Sequence, residues 1–356
     1  MHHPLILPQS RLILPYKYII ISSTNYKVSL DEKVPHSAML QLDVCILEAH
    51  NSRNKIGRLN IWFPIVAEQA KIEEGVKLRK LEFENLEDPE PNEFVEYGAA
   101  SSISEKIIEC FCSSIQEITE TQTSVGVLVY NDSKHQVWAP RAPLTSARML
   151  SLAELLSLPE PPMEERLKLA VRLASSVLQF HTSGWLQERW GKEDIYFIQR
   201  DSSQSQTPGL DTPPSLDTPV VRQSFTGEPS PPETTIKTFS LHCNPSLFSL
   251  GIVLIELWFW KSVESFQADK PGADDLDTTR CMTAMGLIKT IQERGGGQFG
   301  GSVWRCICGI DHPETRLEDQ EFRNEAYCKV LRPLEKHLEL FCDKPLSRIF
   351  QKQSVC

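Results

Sequence analysis

Residues 244–260 read NPSLFSLGIVLIELWFW, and their reading decides the fold. From Leu247 to Trp260 the run is apolar nearly all round, with Ser249 and Glu256 inside it. A helix without a polar face is buried on most sides, so this segment is expected to be the central helix of its half of the chain. At about 14 residues it falls well short of the roughly 20 that cross a bilayer. Gly251 predicts close approach by another backbone, and Glu256 has to reach a lobe edge or an arginine.

Upstream, Met163 to His181 carries Leu167, Ala170, Val171, Ala174, Val177 and Leu178 on one stripe, widened by Leu169, Leu173 and Phe180. Pro161-Pro162 and Glu164-Glu165 stand at its start, where proline and negative charge are tolerated or favoured, and Gly184 lies past its end. Between the two apolar helices, residues 201–235 are about half Ser, Thr or Pro with few apolar residues, so no core is expected and the stretch reads as a disordered loop. Further helices are predicted over about 276–294, ended by Gly295-Gly296-Gly297, and over about 319–342.

The N-terminal part has another pattern. Leu40 to Leu47, Ile56 to Val66 and Val76 to Phe83 read as strands, the last by alternation at Val76, Leu78 and Leu81. After an acidic loop, Ile103, Ile107, Ile108, Phe111, Ile115 and Ile118 recur at helical spacing, and Ser102 with Glu105 has the form of a capping box. Val125 to Tyr130 and His135 to Ala139 read as two short strands around Asn131-Asp132-Ser133. Residues 1–30 carry little pattern and read as a poorly ordered extension. The expected class is therefore α+β, with a small sheet plus one helix over 31–150 and a helical region over 151–350.

With 37 Lys+Arg against 47 Asp+Glu, the 356 residues carry a formal charge of −10, which argues against a dedicated nucleic-acid-binding protein. A hydrophobic fraction of 40% is enough for a sizeable core and excludes a wholly disordered chain. Pro4, Pro8, Arg11, Pro15 and Lys17 break any signal-peptide core, and no segment reads as a membrane span, so a cytoplasmic location is expected, the nucleus being the other option. The ten cysteines are then expected to be reduced thiols. Cys110/Cys112 and Cys306/Cys308 have the form C-x-C, which suits structural zinc poorly, and their apolar surroundings suit cysteine acting as a small hydrophobe. No metal and no cofactor is expected.

A small sheet with one helix, followed by a helical region with two very apolar helices, resembles the two-lobed plan of protein kinases. The run from His181 through Trp185, Gln187, Glu188, Arg189, Trp190, Gly191, Lys192 and Asp194 to Phe197 matches, without a gap, the kinase passage from "LHSxG" through "HRDLKPEN" to the next short strand. Residues 247–257 resemble the kinase helix "DVWSLGVILYEL". The chain is also similar to a family of uncharacterised fungal kinase-like (pseudokinase) domains, often found C-terminal to helical prion-inhibition (HeLo-like) domains. That resemblance rests on Leu173 to His181, Trp185-Leu186, Trp190, Asp194-Ile195, Phe197, Asn244 to Gly251, Arg305-Cys306-Ile307, Phe322 and Arg332-Pro333-Leu334-Glu335, and it covers roughly residues 35–345. It implies a degenerate two-lobed kinase-like fold, and by analogy Arg316 as a partner for Glu256.

Phosphoryl transfer needs a phosphate cradle, a lysine, two Mg²⁺ ligands and a base-like aspartate. No G-x-G-x-x-G accompanies the early strands, where Gly57 and Gly75 stand alone. By the kinase resemblance, Arg189 takes the place of the base, Gly191 that of the loop lysine, Asp194 that of the metal-binding asparagine and Ser246 that of the loop-anchoring aspartate. A guanidinium stays protonated and cannot accept a substrate proton. An aspartate before a strand caps a turn more often than it holds a metal. Gln187, Glu188, Arg189, Gly191 and Asp194 are thus degenerate catalytic-loop positions, and no catalytic residue is expected. The implied function is a catalytically inactive interaction or regulatory module with protein partners, in fungal non-self recognition or cell-death signalling. The alternatives are an active atypical nucleotide-binding kinase using Asp194 and Asp201, and a scaffold presenting a phosphorylatable loop. For the last, Thr207, Thr212, Thr218 and Ser230, each followed by proline, are candidate phosphosites.

Overall fold

The computed structural model describes residues 36–42, 59–64, 76–86, 107–108, 118, 124–130, 133–139, 144–181, 185–199, 215–225, 243–267 and 276–350. They form an α+β structure. The strands are β1 (His36–Gln41), β2 (Leu59–Pro64), β3 (Val76–Leu86), β4 (Ser124–Tyr130), β5 (Ser133–Trp138), β6 (Leu144–Ser151), β7 (Ile195–Gln199) and β8 (Pro219–Phe225). The helices are α1 (Leu152–Leu155), α2 (Met163–Phe180), α3 (Pro245–Phe259), α4 (Leu276–Cys308), α5 (Gln320–Ala326), α6 (Arg332–Cys342) and α7 (Leu346–Phe350), with a 3-10 turn at Val263–Phe266 and a π turn at Tyr327–Leu331.

All eight strands belong to one sheet in the order β2-β1-β8-β7-β6-β3-β5-β4, and β2 pairs with β3 as well. Every strand pairing is antiparallel. Strand β3 is long enough to serve two neighbours on one edge, β6 at Val76 and Leu78 and β5 from Glu82 to Leu86, while β2 lies along its other edge. The hydrogen-bonded ring β1-β2-β3-β6-β7-β8 therefore closes on itself, and β5 and β4 extend from β3 outside it, with β4 as the edge strand.

This topology corrects the expected organisation in two places. The sheet does not stop near residue 150, because β7 and β8 from the region expected to be helical are built into it beside β6 and β1. And residues 215–225, inside the stretch expected to be a disordered loop, are ordered. Leu216, Val220 and Val221 are buried, Leu42 N–H donates to the Pro219 carbonyl at 2.8 Å, and Asp217 lies 3.5 Å from the fully buried Arg172 of α2. Three apolar side chains on a short segment suffice for a strand when six residues of β1 pair with it. Of the stretch 103–118 expected as a helix, Ile107 and Ile108 are described, and they are extended: Ile107 bridges in parallel to Val127, and Ile108 N–H donates to the Val127 carbonyl at 2.9 Å. Isoleucine is β-branched and suits an extended pairing at least as well as a helix. Ile118 is buried; the other positions of that stretch and residues 1–30 lie outside the described residues.

Helix α3 is the central helix, packed against α2 and α4. Leu250, Ile252, Val253, Leu254, Ile255 and Leu257 are all buried. Asn244 caps it, its side chain accepting from Leu247 N–H at 3.1 Å, with Pro245 in the first turn. Helix α4 runs on past the glycines expected to end it. Gly296, at φ 74°, takes a backbone conformation that side chains disfavour, so the chain kinks there and resumes as a second helical segment to Cys308. That segment buries Phe299, Val303, Cys306 and Ile307.

Where α2 ends, His181 is fixed by two partners. Its Nδ1 lies 2.9 Å from the Leu178 carbonyl, which only accepts, so Nδ1 carries the proton; its Nε2 lies 3.1 Å from the Arg323 guanidinium, which only donates. Burial lowers the His181 pKa below its ordinary 6.5, the Leu178 carbonyl opposes this, and the Arg323 charge lowers it further. Above pH 6.5 the ring is neutral folded or unfolded; below it the unfolded chain binds the proton more readily, so stability falls as pH drops from 6.5 through the folded pKa. His337, also lowered by burial, acts in the same direction. A His181→Gln variant is expected to lose part of the fall in melting temperature between pH 7.5 and 5. An unchanged profile would show that His181 does not titrate against folding.

Candidate functional site

The loop from Trp185 to Asp194 lies against the N-terminal half of α3, and the contacts follow from the side chains available. Trp185, Trp190 and Phe197 are buried where they anchor the loop and the strand after it. Ser246 Oγ donates to the Glu188 carbonyl at 3.3 Å, and Trp190 N–H donates to Ser249 Oγ at 3.3 Å, so two hydroxyls of α3 pin the loop backbone. Gln187, Glu188 and Arg189 are exposed, and Gly191 is half-buried. The Asp194 carboxylate accepts the Gly191 N–H at 2.9 Å while its own N–H reaches the Gly191 carbonyl at 3.1 Å, closing the turn that leads into β7.

The residue that matters most is one the kinase comparison passes over. Lys192, buried, extends its ammonium between two carboxylates, 2.8 Å from Glu256 Oε1 and 2.8 Å from Glu264 Oε2. Val263 N–H also donates to Glu256 Oε1 at 3.1 Å. Arg280 completes the group, its Nε 2.6 Å from Glu264 Oε1, and Ser262 donates to Glu264. Glu256 therefore meets a lysine from the loop, whereas Arg316, the partner expected by analogy, is exposed. Burial works against the Lys192 charge, but the two carboxylates outweigh it and hold its pKa above the ordinary lysine value. Burial likewise opposes the Glu264 charge, yet hydrogen bonds from Lys192, Ser262, its own backbone and Arg280 bring that carboxyl down to about 2. Glu256, wholly inaccessible, is pushed upward by burial in spite of Lys192, and its Oε2 has no hydrogen-bond partner among the described residues. The sequence signal for this network was Glu256 itself, an acid inside an apolar helix.

Beside this network the loop, α3 and the start of α4 enclose a cavity of about 290 Å³. Trp190, Phe248 and Ile252 give it apolar walls, and Asp194, Glu256 and Arg280 are among its polar groups. Cys243 and Cys281 also line it, and burial raises both thiol pKa values, that of Cys243 to about 11, so neither is a ready thiolate. Among the described residues no cluster of three or more His, Cys, Asp or Glu is placed to hold a metal ion. Cys306 is fully buried in the core, as a small hydrophobe would be, and Cys110 and Cys112 lie outside the described residues.

Of the candidate phosphosites, Thr207, Thr212 and Ser230 lie outside the described residues, as does Asp201. Thr218 is described: it is half-buried and directly precedes Pro219, which is buried as the first residue of β8. It does not sit on an unstructured loop.

The residues assembled here belong to an α+β protein with a closed antiparallel sheet and a helical core. The chain belongs to the family described as a domain of unknown function, DUF7580, whose profile matches residues 25–341. Comparison with curated proteins gives no match. Among solved structures the chain is similar to a mutant of the PAN3 pseudokinase of Neurospora crassa, at 13% identity and a TM-score of 0.31, over 89% of this chain and 64% of that one. The chain thus spans less than two thirds of that protein's length. No described helix is long and apolar enough to cross a membrane.

Proposed function

We propose that this chain is a kinase-like module without phosphoryl-transfer activity that works by binding protein partners, in fungal non-self recognition or cell-death signalling. One observation carries the non-catalytic part: the groups of the loop are already committed to holding it. Lys192 is locked between Glu256 and Glu264 and Asp194 closes a turn on Gly191, while by the sequence resemblance Arg189, a permanent cation, takes the place of the base. Each of these contacts competes with accepting a proton or clamping Mg²⁺. The fungal signalling role is inferred from the sequence resemblance.

Incubation of purified protein with labelled ATP and Mg²⁺ is expected to give no phosphate on the protein or on generic substrates. ATP and Mg²⁺ are also expected to leave the melting temperature unchanged. Incorporation that disappears in Asp194→Ala would establish the rival reading, an atypical kinase.

A further inference from the structure

We infer that the cavity between the loop, α3 and the start of α4 is a binding site for one uncharged aromatic group of about two fused rings. The inference goes beyond the proposed function and stands without it, since such a group is carried either by a free small molecule or by a side chain of a protein partner.

The charges of the cavity select against an ion. Its lining holds three acids, Glu193, Asp194 and Glu256, against three bases, Arg189, Lys192 and Arg280, so no excess of either sign is left for a ligand. Several of them already serve each other or the backbone. Lys192 is bound to Glu256 at 2.8 Å and stands 3.6 Å from Glu193, Arg280 holds Glu264, and Asp194 accepts the Gly191 N–H. The Ser249 hydroxyl accepts the Trp190 N–H in the same way. A charged ligand would lose its hydration here without a spare counter-ion in return. What the cavity does offer is apolar wall, from Trp190, Pro245, Phe248 and Ile252. Cys243 and Cys281 extend it, because burial lifts both thiol pKa values, that of Cys243 to about 11, and both sulfurs stay protonated at neutral pH. Two aromatic side chains and two polarisable sulfurs favour an aromatic ligand over an aliphatic one, since ring–ring and sulfur–ring contacts add to the gain from burial alone. The space of about 290 Å³ is nearly twice that of an apolar cavity of ~150 Å³ that takes up benzene, which sets the size of the ligand.

Calorimetric titration with naphthalenemethanol tests this at constant ionic strength, with naphthoate and naphthylmethylammonium as its anionic and cationic counterparts. The expected result is saturable one-to-one binding of the alcohol, and binding of both ions weaker by about tenfold or more. Cys243→Phe is expected to fill the space and Phe248→Ala to remove part of the wall, each weakening the alcohol by about tenfold, with the melting temperature showing that the variant is folded. Site-resolved labelling of the wild type with N-ethylmaleimide locates the ligand without any variant. The alcohol, at about four times its Kd, is expected to slow labelling of the half-buried Cys243 about fivefold and to leave the exposed Cys328 unaffected. A blocked peptide with a single tryptophan separates the sources: competition with the alcohol assigns the group to a partner's side chain, and no competition assigns it to a free molecule. No saturable binding of the alcohol, an ion that binds as tightly, a folded Cys243→Phe that binds like the wild type, or Cys243 labelled at an unchanged rate overturns the inference. Phosphate transfer from ATP would overturn the proposed function while leaving this result untouched, so the two failures are distinguishable.

Discussion

Gly251→Leu is expected to yield no soluble folded protein, and Gly251→Ala to lower the stability by about 1–3 kcal/mol. Helix α3 crosses the second segment of α4 at this glycine. A Cβ on residue 251 would stand 2.7 Å from Ile307 Cδ1, 2.8 Å from Cys306 Cβ and 3.0 Å from Ile307 Cγ1. Ile307 can change rotamer, but Cys306 Cβ is attached directly to the backbone, so relief requires the two helices to separate. Both neighbours are fully buried in the core, where there is no free volume to receive them. Leucine adds three more carbons to the same place. The alanine variant is read from the urea midpoint at unchanged m-value, the leucine variant from soluble yield. A leucine variant that melts with the wild type would mean that α3 is not the packed centre of the helical region.

That prediction was within reach of the sequence, because it depends on local pattern. A run apolar nearly all round and a glycine inside it announce a buried helix and a close crossing, and residues 247–260 have both. The tryptophans of the loop were legible from their size: Trp185 and Trp190 carry large apolar surfaces that gain by burial. What was hidden depends on partners distant along the chain. Strand β8 is a short apolar patch in a Ser/Thr/Pro-rich stretch, and composition averaged over the stretch conceals it; its pairing with β1, some 180 residues earlier, makes it a strand. The isoleucines of 103–118 fit a helical period, yet the β-branched Ile107 and Ile108 accept an extended pairing once Val127 is beside them. Glu256 announced that it needed a cation without naming it. Analogy chose Arg316 and the fold brought Lys192, 64 residues away in sequence, to 2.8 Å.

Lys192→Met is expected to destabilise the protein by about 3–5 kcal/mol, the cost of leaving a buried carboxylate without its counter-ion. Glu256 cannot turn to water, since its side chain is 1% exposed, and after the substitution the Val263 N–H would be its remaining donor among the described residues. Glu264 fares better: its side chain is 34% exposed and it keeps Arg280 and Ser262. The loss should therefore be traced to Glu256, and a second substitution shows this. Adding Glu256→Gln to Lys192→Met removes the stranded charge while keeping the side chain's shape, and is expected to restore about half of the lost stability or more. Glu264→Gln alone is expected to cost about 1 kcal/mol or less, because a half-open ion pair is screened by solvent. Urea midpoints of the wild type, Lys192→Met, Glu256→Gln, Glu264→Gln and the Lys192→Met, Glu256→Gln double mutant give the coupling directly. If Lys192→Met melts like the wild type, or if the added Glu256→Gln makes matters worse by the full cost of a second independent defect, the buried pair does not hold the loop onto α3. The proposal that the loop has no catalytic duty would then need another physical basis.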